Sequence, residues 1–386
     1  MIRLGWLCAG ALGVLLACQG SRPLVISELQ VEEWEAHPLS NEAHFVAVRD
    51  VILSGEILWI LDGASPFLTR ISLETGDVVQ VGGQGDGPGE FLDPWAIQPT
   101  SDLSGILVWD FGSYRVTKFA PDGVYQSSKL MNREGRVLAR SNFNEVSYGN
   151  PFRVRSTPEG YLVGSFLGLL EHTSDVSRGS LRLSDQLLTP GQEIVRLSDQ
   201  VDPGVESMKE WAALPFWDQC GENLVVWKPV SREVVWMDPS GTPRARTSLE
   251  PPHDRIELQD IERYLEWMAR LELGPEYRAH DLDLSTMAQR LRDRFAKEQP
   301  FVTDLRCQGD DTAWIRLFST ETDPLGKGSD WIRVDPSGPS HFMRTPVGFT
   351  PFLFTSEGSF GSMETPGGDQ VIALATPSSA QRTPPN

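Results

Sequence analysis

Between Gly82 and Gly123 the chain reads GGQGDGPGEFLDPWAIQPTSDLSGILVWDFGSYRVTKFAPDG, and this stretch restricts the possible folds more than any other. A glycine-rich turn leads through Phe91 and Pro94 into a first strand, and Gly105 turns into Ile106–Trp109, which Asp110 closes. Arg115–Phe119 then alternates basic or polar with apolar residues, and Pro121, Asp122 and Gly123 supply the next turn. A period of two interrupted by turn chemistry every few residues predicts short antiparallel strands and excludes an amphipathic helix here.

The pattern recurs. A first copy runs from Gly55 through Ile57–Asp62 and Arg70–Leu73 to Glu74, Thr75 and Gly76. Later copies are Leu224–Trp227 with Val234–Asp238 and the turn Pro239, Ser240, Gly241, and Ala313–Phe318 with Trp331–Asp335 and Pro336, Ser337, Gly338. Tyr161–Phe166 with Leu181–Ser184 gives a looser copy between them. Gly76 and Gly123 are 47 residues apart, and periods of about 40 to 50 residues with four short strands each are those of a propeller blade. A sixth, composite blade is expected from Phe352–Phe354, Ser359–Ser362 and Val371–Ala375, closed by an N-terminal strand Leu24–Val31 that removes the free sheet edge. The expected fold class is therefore all-β, a six-bladed propeller closed by its two chain ends.

Residues 254–297 break this rhythm: Ile261, Leu265 and Met268, then Met287, Leu291 and Phe295, stand at helical spacing, with Gly274 and Pro275 between. The segment reads as a helical pair inserted between blades four and five. Glu266 and Arg270 form an i,i+4 pair, and Arg290, Arg292, Arg294 and Lys297 suit the end of the second helix. The simplest partner for its apolar face is one mouth of the propeller. After residue 375 the tail 376–386 has no apolar periodicity and is expected to be disordered.

At the other end, Arg3 precedes an apolar run Leu4–Leu16 that is too short for a permanent span and ends in small residues, the pattern of an export signal over residues 1–17. Leu15, Leu16, Ala17 and Cys18 resemble the bacterial lipobox, and the resemblance implies that Cys18 carries the acyl chains that tether the mature protein to a membrane. Gln19 follows instead of Asp, which resembles outer-membrane sorting in a diderm host. The formal charge of −19, or −20 once Arg3 leaves with the signal, repels phosphate and argues against nucleic acid as a partner. Beyond Cys8 and Cys18 only Cys220 and Cys307 remain, too few for a disulfide scaffold or a four-cysteine metal site. They precede strands of neighbouring repeats, so a bridge is one reading. Because equivalent points on adjacent blades usually lie beyond bridging distance, two buried free thiols are the expectation.

Gly85, Gly87, Pro88, Gly89, Glu90, Phe91, Pro94, Val108, Asp110, Arg115, Val116, Phe119, Asp122 and Gly123 closely resemble an NHL repeat. With the lipobox, the blade count and the insertion, the whole mature chain resembles exported bacterial six-bladed propellers of the TolB-like, NHL-containing class. The resemblance implies a disc with a central channel and ligands or partners at its faces.

Several motifs suggest chemistry and lack its companions. GGQGDGPGE has neither the Lys nor the Ser or Thr of a phosphate loop and leads into a strand. Asp110, Phe111 and Gly112 spell a kinase magnesium motif without a catalytic loop. Asp110 and Arg115 read instead as a pair joining adjacent strands, repeated in outline by Asp62 and Arg70. His37, His44, His172, His253, His280 and His341 are scattered, no serine-hydrolase elbow occurs, and no catalytic, cofactor or metal residues are assigned. Trp59, Trp109, Trp227 and Trp314 recur on one strand of successive repeats, as wedge fillers between blades. Lys129, Arg133, Arg136 and Arg140 form a local basic loop. The residues therefore favour a membrane-tethered binding or scaffold module for an envelope protein, peptide or glycan, without catalysis. The alternatives are a propeller enzyme of lactonase, lyase or sugar-dehydrogenase type with a channel metal, and a passive spacer.

Overall fold

The computed structural model describes residues 29–131 except 41, 42, 101 and 103; 153–166 except 158 and 159; 179–196 except 185–189; 213–250 except 214; 255–298 except 274–282; and 300–378 except 319–328 and 366. β1 (Val31–Pro38) leads into β2–β5 (Val48–Ser54, Ile57–Asp62, Leu68–Ser72, Val78–Val81) and β6–β9 (Pro94–Pro99, Ile106–Asp110, Arg115–Phe119, Tyr125–Leu130). Then come β10–β13 (Val154–Thr157, Gly160–Phe166, Gly179–Ser184, Pro190–Arg196) and β14–β17 (Phe216–Cys220, Asn223–Lys228, Glu233–Met237, Pro243–Ser248). α1 (Leu258–Leu273) and α2 (Leu284–Leu291) precede β18–β21 (Val302–Gln308, Thr312–Leu317, Asp330–Asp335, Gly338–Arg344), and β22–β24 (Phe349–Phe354, Ser359–Glu364, Gln370–Pro377) follow.

The first sixteen strands after β1 form four four-stranded meanders, and the rest form an eight-stranded sheet in the order β18-β19-β20-β21-β1-β24-β23-β22. Within each meander the sequence sets the burial gradient. The second strand is an apolar run buried on both faces, as in Ile57–Asp62 and Ile106–Asp110, whereas the fourth carries polar residues and is largely exposed, as in Tyr125–Leu130 and Pro243–Ser248. Turn residues do the work their chemistry allows. Asp238 Oδ1 accepts the amides of Ser240 and Thr242 at 3.0 Å each, and Gly241 supplies φ +86°.

The core consists of layers between successive sheets. Trp59 packs with Phe91 and with Ile97 and Val108 of the next sheet, Trp109 with Val154 and Tyr161, Trp227 with Val302 and Leu305, and Trp314 with Trp34 and Phe354. All four tryptophans are buried, which makes them the wedge fillers expected from their spacing. The innermost strands adjoin in turn: β2 with β6, β6 with β10, β14 with β18, β18 with β22, and β22 with β2. Arg155 of β10 binds Asp218 of β14 and completes the circuit. This is the architecture of the β-propeller class, mostly β with two α-helices among the described residues.

β1 closes the ring. It pairs antiparallel with β24, Ala36 opposite Ala375, and parallel with β21, Glu32 opposite Met343. The closing strand is Val31–Pro38, later in the chain than the expected Leu24–Val31, of which residues 24–28 lie outside the described residues; the alternation of Glu32, Trp34 and Ala36 with more exposed neighbours places Trp34 in the core. β24 runs to Pro377, and Ser378 donates its amide to Glu33 O at 2.9 Å.

Cys220 and Cys307 are joined, which corrects the expectation of free thiols. Their Cα atoms are 5.0 Å apart because both lie on innermost strands, where neighbouring sheets approach most closely. The helices also differ from expectation. Ile256, Ile261, Ala288, Phe295 and Ala296, with Tyr264, Leu265 and Leu291, form an apolar cluster drawn wholly from the insertion, so the pair buries its faces against itself. Met287 points outward. Asp283 caps α2 by accepting the Thr286 amide, and Arg292 holds the carbonyls of Ala296 and Ile256. No described helix is long and apolar enough to cross a membrane.

Candidate binding site on the ring axis

The connections divide the ring into two unequal faces. Those from first to second and from third to fourth strand of each meander are turns of at most six residues. Every longer connection, including 131–153, 197–215, 249–301 and 318–329, has its ends on the opposite face, where the innermost strands begin. A charged cluster sits at that end of the innermost strands.

Arg153, one residue before β10, is buried and reaches the next two innermost strands, β14 and β18: it donates to the carbonyls of Trp217 at 2.8 Å and Leu305 at 2.5 Å and pairs with Asp304. Arg306 Nε donates to the other oxygen of Asp304 at 2.9 Å, and its guanidinium lies 5.8 Å from the centre of the half-buried Phe352 ring. Arg155 Nε donates to Asp218 Oδ1 at 2.6 Å, while Asp218 Oδ2 accepts the amide of Cys307 at 3.0 Å. Asp50 on β2 and Arg316 on β19 complete the group, both within electrostatic reach of it. Four innermost strands, β2, β10, β14 and β18, or the residue next to one, thus contribute charges, and β22 adds the Phe352 ring.

The charges set the protonation states. Burial raises the pKa of Asp304, but Arg153 and Arg306 outweigh it and hold the carboxyl down at about 2. The same balance, with Arg155 as the largest opposing charge, keeps Asp218 below its ordinary value. At Asp50 burial wins over Arg155, Arg306 and Arg153, and its pKa is raised. Asp50 accepts the Val51 amide at 3.0 Å and forms an ion pair with none of the described arginines. Burial pushes Arg316 down, against the pull of Asp304, and its side chain hydrogen-bonds to none of the described residues. The result is a cationic patch in an acidic protein.

Sequence reasoning passed over this cluster because its charged members are scattered through four repeats. The available signal was a charge just before or within the strand that precedes each apolar run: Asp50, Arg155, Asp218, and Asp304 with Arg306.

The motifs set aside from sequence are accounted for by structure. Asp110 is fully buried and accepts the amides of Leu92, Asp93 and Gly112 and the Ser113 hydroxyl, so no oxygen is left for a cation. It reaches Arg115 only through Ser113, and Arg115 pairs instead with Asp86 at 3.0 Å, so the expected direct pair is replaced by a relay. In the glycine loop Glu90 accepts the Gly87 amide at 2.8 Å and fills the space a bound phosphate would need. Among the described residues no three His, Cys, Asp or Glu gather as metal ligands. Lys129 is exposed on β9; Arg133, Arg136, Arg140, His172, His253, His280 and Cys18 lie outside the described residues.

No family model matches the sequence. No curated protein matches it either. Solved structures share the fold. One is a protein from Bacteroides fragilis described as exported, 11% identical, with 89% of this chain and 95% of that one covered and a TM-score of 0.50. Another is a member of the DUF4221 family from Bacteroides vulgatus, 11% identical, with 91% and 99% covered and a TM-score of 0.51. At this identity the likeness extends to the fold alone.

Proposed function

We propose that this protein is an extracytoplasmic binding module, a six-bladed propeller of the TolB-like, NHL-containing class tethered through acylated Cys18, which holds an envelope protein, peptide or glycan on the face where its innermost strands begin. The eight-stranded sheet counts as two blades, β18–β21 and β22–β24 with β1, joined by the parallel pairing of β21 and β1. The observation that carries the reading is the arginine-rich cluster on the axis, set at the face that bears every long connection. Loops on a rigid scaffold are the usual place for recognition. Export is supported by the signal-like N-terminus, by the exported relative in fold, and by the Cys220–Cys307 bridge, which persists in oxidising compartments.

Binding is favoured over metal-assisted catalysis because Asp218 and Asp304 each accept a guanidinium, so these carboxylates are already engaged. Two measurements test the proposal in its native host. Radiolabelled palmitate is expected in the wild type and absent from Cys18→Ser, and in-cell cross-linking followed by detergent extraction is expected to recover a specific envelope partner. A cytosolic, unlabelled wild type, or cross-linking that captures nothing above an unrelated lipoprotein, overturns it.

A further inference from the structure

We infer that the axial cluster is a binding site for a sugar acid, a ring bearing one carboxylate and several hydroxyls. The inference rests on the binding-module reading and names the ligand class of that same site.

The argument begins with unequal pairing. Four guanidinium groups, those of Arg153, Arg155, Arg306 and Arg316, stand against two engaged carboxylates, Asp218 and Asp304. Arg155 spends Nε on Asp218 and one terminal nitrogen on the Val154 carbonyl at 3.0 Å; Arg306 spends Nε on Asp304 and one terminal nitrogen on the Phe352 carbonyl at 3.5 Å. Each keeps a terminal nitrogen that donates to none of the described residues, and Arg316 keeps its whole fork. Guanidinium donors in a poorly solvated place bind planar carboxylates strongly, often through two parallel hydrogen bonds.

The other two features select among anions. Asp50 lies within electrostatic reach of Arg155, Arg306 and Arg153 without forming an ion pair with any of them, and its second oxygen has no donor among the described residues. A ligand hydroxyl supplies the donor that this oxygen of the half-buried Asp50 lacks. Phe352 places a half-buried aromatic ring beside Arg306, a flat apolar surface of the kind on which the C–H face of a pyranose can rest. Phosphate answers the arginines but neither Asp50 nor Phe352. A neutral sugar answers the last two and leaves the arginines unmatched.

The test is isothermal calorimetry on the full-length chain in detergent, with D-galacturonate and D-glucuronate as probes and D-galactose, acetate and inorganic phosphate as comparisons. Saturable binding of at least one uronate is expected, with galactose, acetate and phosphate each at least tenfold weaker. Arg316→Gln is expected to weaken the uronate tenfold or more, because that fork has no described structural bond to lose. Asp50→Asn is expected to narrow the gap between uronate and acetate. If Arg316→Gln does not fold, Arg316→Lys serves, keeping charge but losing the fork and weakening uronate several-fold. No uronate binding to the folded wild type overturns the inference, as does phosphate binding equal to uronate that Arg316→Gln leaves unchanged. The two proposals fail separately. Partner capture without uronate binding sinks only the ligand class, and uronate binding without a captured protein leaves the site standing while the protein-partner reading falls.

Discussion

Asp304 lies between Arg153 and Arg306, and its acidity is a stability statement. Its folded pKa of about 2 lies below the ordinary 3.8, so it contributes about 2 kcal/mol that is fully present above pH 3.8 and is lost as the pH falls towards 2. Asp50 acts in the opposite sense: its raised pKa means that the ionised form opposes folding, so the penalty is fully present above its folded pKa and eases as the pH falls towards 3.8. Two variants separate these terms in urea titrations from pH 2 to 8. Asp304→Asn is expected to lose about 3–5 kcal/mol at pH 7, since it leaves buried Arg153 without its counter-charge, and to flatten the acid limb. Asp50→Asn is expected to gain stability at pH 7 and to lose the rise that the wild type shows on mild acidification. Unchanged midpoints in both variants would show that the cluster carries no net folding energy.

Among the elements, β14 and β18 are joined twice, by the Cys220–Cys307 bridge and by the Cys307 amide on Asp218. The bridge spans 87 residues of sequence that include the whole helical insertion. Closing a loop of that length removes enough unfolded-state freedom to stabilise the fold by about 4.5 kcal/mol, within the usual range of about 2–5 kcal/mol. The double variant Cys220→Ala, Cys307→Ala is expected to unfold at correspondingly lower denaturant, and a strong reductant should bring the wild type to the same midpoint. A reductant that leaves the wild-type midpoint in place would mean that the bridge does not form. The helical pair behaves differently, because its cluster draws on no strand residue.

For the molecule as a whole, integrity depends on one strand. β1 joins β21 to β24, and its Trp34 stands edge-on to Trp314 at 6.0 Å in the layer that also holds Trp331 and Phe354. A propeller without that strand has two open edges facing each other. Trp34→Ala is therefore expected to cost about 3–5 kcal/mol and to expose the seam, read as faster proteolysis between β24 and β1 than at other blade boundaries. Uniform proteolysis, or a loss below about 1 kcal/mol, would place the closure elsewhere.

Period-two runs, buried tryptophans at a fixed strand position and Asp-Pro-Ser-Gly turns are local facts, and they sufficed for the strand content, the repeat and the propeller class. Burial of an apolar strand on both faces and the φ a glycine turn requires depend on near neighbours in the chain. The site was illegible for the opposite reason. Arg153 and Asp304 are 151 residues apart in sequence and meet only because the ring brings the beginnings of its innermost strands to one axis. The disulfide and the register of β1 followed the same rule. Distances across a closed ring depend on how the sheets converge, and no window of sequence contains that angle.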